Sequence, residues 1–257
     1  MRISSEQIKI RKGQTPIVVL TAYSAPVARL LDSHVDILLV GDSLGMVIYG
    51  MPGTEAVTME MMIRHGRAVV DATSQALVVI DMPAGSYETS PQQAVLSAKR
   101  LIEETGAQAV KLEGGRDRAA QIQAIVQAGI AVMGHVGLLP QRAAEFGGFK
   151  TQGKTPEQAE AIVQDALAVQ AAGAFSVVIE ATVEPVARHV TEQLTIPTIG
   201  IGASPACDGQ VLVVDDMLGL TDRAPKFVRR YAALATVIED AVKNYAEEVK
   251  SRQFPAA

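Results

Sequence analysis

Cysteine is almost missing: Cys207 is the single one in 257 residues. It has no partner for an internal disulfide, so a reducing cytoplasm is the expected compartment. No run reaches the ~18 apolar residues of a membrane span, and no membrane partner is expected. Residues 1–14 carry Arg2, Glu6, Lys9, Arg11 and Lys12 and no continuous apolar stretch. They read as an N-terminal extension rather than a signal peptide. Positive charge is not in excess either, since 23 Lys+Arg against 28 Asp+Glu leave a formal charge of −5. Without a broad positive field, nucleic acid is not an expected partner. There is no proline- or serine-rich linker, no cysteine cluster, and no GxGxxG after the first apolar run. What is abundant is core material: the AVILMFWYC set makes up 48% and charged residues 20%, a balance that excludes disorder and low complexity.

The apolar runs recur. They fall at 16–22 (PIVVLTA), 36–40 (DILLV), 76–81 (ALVVID), 109–113 (AVKLE), 130–135 (IAVMGH), 174–180 (AFSVVIE), 196–202 (IPTIGIG) and, less distinctly, 210–215 (QVLVVD). Each is short, β-branched and nearly continuous, as strands are when both faces are buried in a parallel sheet. Between them lie helical patterns with start and stop residues. Ser90-Pro91 opens one helix that stops at Gly106, and Thr155-Pro156-Glu157-Gln158 opens another that ends at Gly173. Thr58 caps 59–72, the pattern over 116–128 stops at Gly129, and 226–250 reads as a long amphipathic helix closing the domain. From Ala22 to Gly202 is 180 residues, six units of 30, and a strand with its return helix takes about 30. The expected fold is therefore a single (β/α)8 TIM barrel over 1–257, with a doubly wound open sheet as the alternative. The short stretch from Gly202 to Gln210 leaves little room for a helix between the last two strands.

Acidic residues and a histidine end the runs: Asp42, Asp81, Glu113, His135 and Glu180. In a parallel barrel all the carboxyl ends share one face, where active sites are built. Any one of these acids could simply cap the next helix. Gathering them all is costly unless a cation or protons compensate, because each buried like charge costs several kcal/mol. Hard oxygens without cysteine suit Mg²⁺, and Asp42, Asp81 and Glu113, on neighbouring strands, are the expected ligand set, some acting through water. Glu180, across the barrel, is left as the base. Lys111 lies two residues before Glu113 and projects on the same face, where its charge calls for a partner or an anionic ligand.

Eight motifs in order carry a resemblance over nearly the whole chain, from about Thr21 to beyond Pro225. They are VGDSLGM at 40–46, DMP at 81–83, VKLEGG at 110–115, GHVGLLPQ at 134–141, FGGFKTQG at 146–153, Ile179-Glu180, IGIGA at 199–203 and CDGQ at 207–210. This set resembles the ketopantoate hydroxymethyltransferase family. The resemblance implies a Mg²⁺-dependent barrel of the phosphoenolpyruvate/pyruvate-binding type that moves a hydroxymethyl group from 5,10-methylenetetrahydrofolate to 3-methyl-2-oxobutanoate through a Mg-stabilised enolate. By position it implies metal-associated Asp42, Asp81 and Glu113, ketoacid contacts from Asp42, Ser43, Asp81 and Lys111, and Glu180 as proton acceptor. It also implies a cytoplasmic homo-oligomer, commonly a decamer. The sequence departs from the family at Asp215, where histidine is common, and at Ser204, where glycine is frequent.

Supporting roles are open for His135, which could contact substrate or be satisfied within the mouth. Gly200 and Gly202 either admit a bulky cofactor or relieve crowding in the barrel. The loop 147–153 reads as a flap or an ordinary solvated loop. Competing functions are a Mg-dependent C–C or P–C lyase, an aldolase forming a Schiff base on Lys111, and a silent ligand-binding barrel.

Overall fold

The computed structural model describes residues 2–255. The chain clusters into two compact units, one up to Val211 and one from Leu212 onward. Eight strands, within the first unit but for the last residue of the eighth, close a barrel in sequence order: β1 (Ile17–Thr21), β2 (Ile37–Val40), β3 (Leu77–Asp81), β4 (Ala109–Lys111), β5 (Ala131–Gly137), β6 (Ser176–Glu180), β7 (Thr198–Ile201) and β8 (Gly209–Leu212). The paired neighbours are parallel. The eight apolar runs therefore are the strands, and closure removes the open-sheet alternative.

Period-two alternation decides what faces inward. Ile37 and Leu39, Leu77 and Val79, Ala109, Met133, Val178 and Ile199 form the interior cluster. Continuing the same parity upward brings Asp81, Lys111 and Glu113, His135 and Glu180 onto the layer above it. At the opposite end the N-terminal segment closes the cluster. A Ser4–Gln7 capping box starts α1 (Ser5–Lys9), whose Ile8 is fully buried among those side chains.

The described helices include α2 (Ala25–Leu31), α3 (Leu44–Val47), α8 (Glu184–Gln193) and α9 (Val214–Leu218), and three return helices begin where their caps predict. Thr58 caps α4 (Met59–Ala72), Ser90 caps α5 (Pro91–Thr105), and Thr155 caps α7 (Pro156–Ala171), each by accepting a backbone N–H of its first turn. Gly106 ends α5 at φ 77°, a left-handed cap that glycine adopts without strain. Four boundaries differ from expectation. β4 stops at Lys111 because the chain turns at Gly114 (φ 118°), while β5 runs on to Gly137, paired with Glu180. The pattern over 116–128 opens as a single 3-10 turn before α6 (Ala119–Gln127). In the second unit the helix expected over 226–250 starts only at Leu234, as α10 (Leu234–Lys250). Arg230 donates to the carbonyls of Thr221 and Asp222, and Tyr231 N–H donates to Met217, so these residues are held out of the helix. No residue of α10 is buried, and no described helix is long and apolar enough to cross a membrane.

Candidate active site

The sequence-predicted residues converge on the carboxyl-terminal mouth of the barrel. Asp42, Asp81, Lys111, Glu113 and His135 are all at most 5% exposed. Asp81 pairs with Lys111 Nζ at 2.8 Å through Oδ1, and its Oδ2 accepts the Asp42 backbone N–H at 3.0 Å. Lys111 Nζ also lies 3.2 Å from His135 Nδ1. An ammonium can only donate, so Nδ1 accepts and the ring proton sits on Nε2. That nitrogen faces Glu180 Oε2 at 3.1 Å, while Glu113 Oε1 is 3.6 Å from Nδ1. Ser43 stands at the edge of this group, its Oγ 2.7 Å from the Tyr23 hydroxyl.

Four carboxyl groups and one ammonium make the mouth short of positive charge, and the acidities show it. Burial, then the neighbouring Asp81, push the Asp42 carboxyl up to about 7. Burial raises Glu113 well above the carboxylate range, with Asp42 adding to it. Glu180, pushed up by burial and partly offset by Lys111, also reaches about 7. For Lys111, burial pulls downward, but Asp81, Glu113 and Asp42 outweigh it and the ammonium is held more firmly than usual. Burial and Lys111 keep the His135 imidazole neutral.

Two further residues of this site, both without formal charge, were missed by reasoning from charged strand ends. Gln141 Nε2 donates to Asp42 Oδ2 at 2.8 Å and to the Met82 carbonyl at 3.0 Å, and Gln141 N–H donates to Glu113 Oε2 at 3.1 Å. Tyr87 donates to Gln141 Oε1 at 2.6 Å and accepts the Glu113 N–H at 3.3 Å. Gln141 ends the GLLPQ segment after β5; the available signal was a polar residue closing an apolar strand exit.

The residues fit a hard cation. Glu113 Oε1 is buried and accepts no hydrogen bond, and both raised carboxyls would be relieved by positive charge. Still, the three expected ligands are not a preformed cage. Among the described residues no group of three or more His, Cys, Asp or Glu is arranged to hold a metal ion. Asp81 explains this, since its two oxygens already face Lys111 and the Asp42 amide.

The remaining candidates have packing explanations. A Cβ on Gly200 would meet Gln210 Oε1 at 3.0 Å and Cys207 Sγ at 3.1 Å, so its missing side chain makes room for β8. Gly202 adopts φ 58°, a left-handed backbone suited to glycine. Cys207 is buried and its thiol is pushed up by burial, as befits an inert filler. The far end of the 147–153 loop is fastened beside β6, Gln152 N–H donating to Ala181 and Gln152 accepting from Val183 N–H. A cavity of about 500 Å³ adjoins it, lined in part by Gly114, Val136, Leu139, Phe146, Gln152 and Ile162.

The model of the family described as ketopantoate hydroxymethyltransferase matches residues 2–257. A 3-methyl-2-oxobutanoate hydroxymethyltransferase of Mesorhizobium japonicum is 59% identical over 256 residues, covering 99% of this chain and 90% of the relative. One of Rhodospirillum rubrum is 58% identical, covering 99% and 93%. Among solved structures, 2,3-dimethylmalate lyase, a PEP mutase/isocitrate lyase superfamily member, superposes with TM-score 0.61 at 16% identity over all of this chain and 91% of its own. Phosphonopyruvate hydrolase does so with TM-score 0.65 at 12% identity, over all of this chain and 90% of its own. These last likenesses show the barrel; the sequence matches show the family. The chain belongs to the ketopantoate hydroxymethyltransferase family.

Proposed function

We propose that this chain transfers a hydroxymethyl group from 5,10-methylenetetrahydrofolate to 3-methyl-2-oxobutanoate, and that Glu180 removes the proton from C3. One observation carries the reading. A carboxyl group pushed up to about 7 stands at the rim of the mouth, 3.1 Å from a neutral imidazole and on the far side of it from Lys111 and Glu113. A base with that affinity holds the abstracted proton far better than an ordinary carboxylate, near the pH at which it must also be ionised.

Lys111 supplies the one ammonium in this group of residues and suits the ketoacid's carboxylate. Ser43, at the edge, offers a hydroxyl to the same substrate. His135 carries its proton on Nε2, 3.1 Å from Glu180 Oε2 with no hydrogen bond formed, and would orient that carboxyl once one forms. Asp42 and Glu113, with Asp81 in part through water, would hold Mg²⁺, which usually takes only one or two direct carboxylates. When bound there, the ion supplies Lewis-acid polarisation of the keto group. The deprotonated C3 then bonds to the folate methylene carbon, whose bonds to the two folate nitrogens break. Water supplies the hydroxyl, and the C3 proton and the second proton of that water end on the nitrogens of the departing tetrahydrofolate. The flanking cavity of about 500 Å³ has the volume of a small-molecule site and is where we place the folate. Folate as donor, assembly as a homo-oligomer and a cytoplasmic location belong to this proposal and are supported by family membership.

Exchange of the C3 proton with solvent deuterium, in the absence of folate, tests the reading directly. Exchange should need Mg²⁺ and fall sharply in Glu180→Gln. Near-normal exchange in that variant removes Glu180 as the base. A Schiff base on Lys111 is the second reading, and the firmly held ammonium speaks against it. Borohydride trapping of a ketoacid adduct, or full exchange in EDTA, would reinstate it.

A further inference from the structure

Resting on the reading of Asp42 and Glu113 as carboxylates of the cation site, we propose that Gln141 is a positioning residue. It decides which oxygen of each carboxylate is offered to the cation, and Tyr87 fixes the sense of its amide.

Two contacts from Gln141 divide the two acids. Its Nε2 takes Asp42 Oδ2, and its backbone N–H takes Glu113 Oε2. Each acid is thereby left with its other oxygen, and Glu113 Oε1 is buried with no hydrogen bond. A buried carboxylate oxygen without a donor is costly to keep unless something positive is to occupy it.

The amide could in principle turn over, presenting Oε1 to Asp42. Tyr87 prevents that. Its hydroxyl accepts from Glu113 N–H, so its own proton is directed to Gln141 Oε1 at 2.6 Å. The other side of the amide is fixed by the Met82 carbonyl, which can only accept. Glu113, Tyr87 and Gln141 thus form a closed ring of hydrogen bonds. Both partners are packed in place, Tyr87 being 2% and Gln141 9% exposed. The ring ties the segment after β5 to the exits of β2, β3 and β4, where the acids originate.

Such supporting partners typically matter by roughly 10–100-fold in metal affinity. The test uses full-length protein and Mn²⁺ as probe, with free and bound ion distinguished by electron paramagnetic resonance, and Mg²⁺ binding followed by calorimetry. Gln141→Leu should weaken Mn²⁺ binding by roughly 10–100-fold. Tyr87→Phe keeps the ring's volume while releasing the amide, and should weaken it by a smaller factor. If Gln141→Leu does not fold, as judged by loss of a cooperative melt, Tyr87→Phe alone decides. Wild-type affinity in every variant that folds overturns the positioning role, even if melting temperatures fall. The outcome that breaks the underlying reading is a different one: wild-type protein that binds no divalent ion, or Asp42→Asn and Glu113→Gln variants that bind it as well as wild type.

Discussion

The two ends of the barrel both bury carboxylates, and they treat them in opposite ways. At the amino-terminal end Asp32 accepts the backbone N–H groups of Ser74, Gln75 and Ala76, its shortest bonds being 2.7, 3.1 and 2.9 Å. Burial alone would raise it, but those donors and Arg2 hold it below the usual range. Asp208 is served by Lys12 at 2.8 Å and by the backbone N–H groups of Gly13 and Thr198 at 2.8 and 2.9 Å, and it too is lowered. At the mouth, by contrast, Asp42, Glu113 and Glu180 are all raised. Depth and donor supply together separate them: the acids of the mouth lie deeper and accept fewer hydrogen bonds. A saturated carboxylate knits loops to strand starts and stabilises the barrel; a starved one stores unmet charge for a ligand or a proton.

The comparison breaks first at Glu180. If the mouth is built for chemistry rather than stability, Glu180→Gln should slow C3 deuterium exchange by roughly 10²–10⁴-fold, the usual worth of a general base. The melting temperature should stay unchanged or rise, because a group that resists ionisation is replaced by a neutral one. In the unmodified protein, exchange should climb about tenfold per pH unit below about 7 and level off above it, since the base works deprotonated. A matching fall in stability would place Glu180 with the structural acids.

Asp32→Ala should do the reverse. Three N–H groups lose their acceptor at a site only 6% exposed. The expected loss is about 3 kcal/mol, or roughly 6–12 °C in melting temperature for a chain of this size. Exchange measured well below the melt should be near normal.

The same contrast sets the sign of the metal's effect on stability. Acids with raised affinity favour the fold most when protonated. Their contribution is full below the ordinary carboxylate range and is lost as pH rises from about 4 towards the raised value, about 7 for Asp42. A cation reverses that loss only where the acids are ionised. At a hundredfold excess over its dissociation constant, Mg²⁺ should add about 2.7 kcal/mol, roughly 5–10 °C, at pH 8. At pH 5 protons compete and the shift should nearly vanish. Thermal melts with Mg²⁺ at both values check this, and equal shifts would detach the cation from Asp42 and Glu113.

Legibility followed the same divide between charge and its partners. Strands were readable because both faces are apolar, and the charged strand ends because parity carries Asp81, Lys111, Glu113, His135 and Glu180 inward. The start of α10 was not, since Arg230 and Tyr231 are held by carbonyls of their own unit, a tertiary effect that overrides helical periodicity. Gln141 and Tyr87 were not assigned because neutral groups advertise no cost until their partners are known. Asp32 and Asp208 show the converse: nothing local distinguishes them from Asp42, and only the backbone donors brought from distant loops make them structural.

Gly200 gives the smallest expected effect and asks whether the rim of β7 belongs to the mouth or to the frame. A methyl there would meet Gln210 Oε1 and Nε2 at 3.0 and 3.1 Å and Cys207 Sγ at 3.1 Å. The glutamine contacts are the far end of an exposed side chain, which can yield at the expense of its hydrogen bond to the Ser204 carbonyl; the buried sulfur can yield less. Gly200→Ala should therefore cost about 1 kcal/mol, or roughly 2–4 °C in melting temperature. Folate-independent exchange should be unchanged under either reading of this glycine. The folate-dependent transfer rate is what separates them. If Gly200 serves packing, transfer stays within about twofold of wild type once temperature is held below the melt. A selective loss of transfer with intact exchange would mean that the bare backbone of β7 lies in the folate's path, extending the functional mouth to a position that packing alone accounts for.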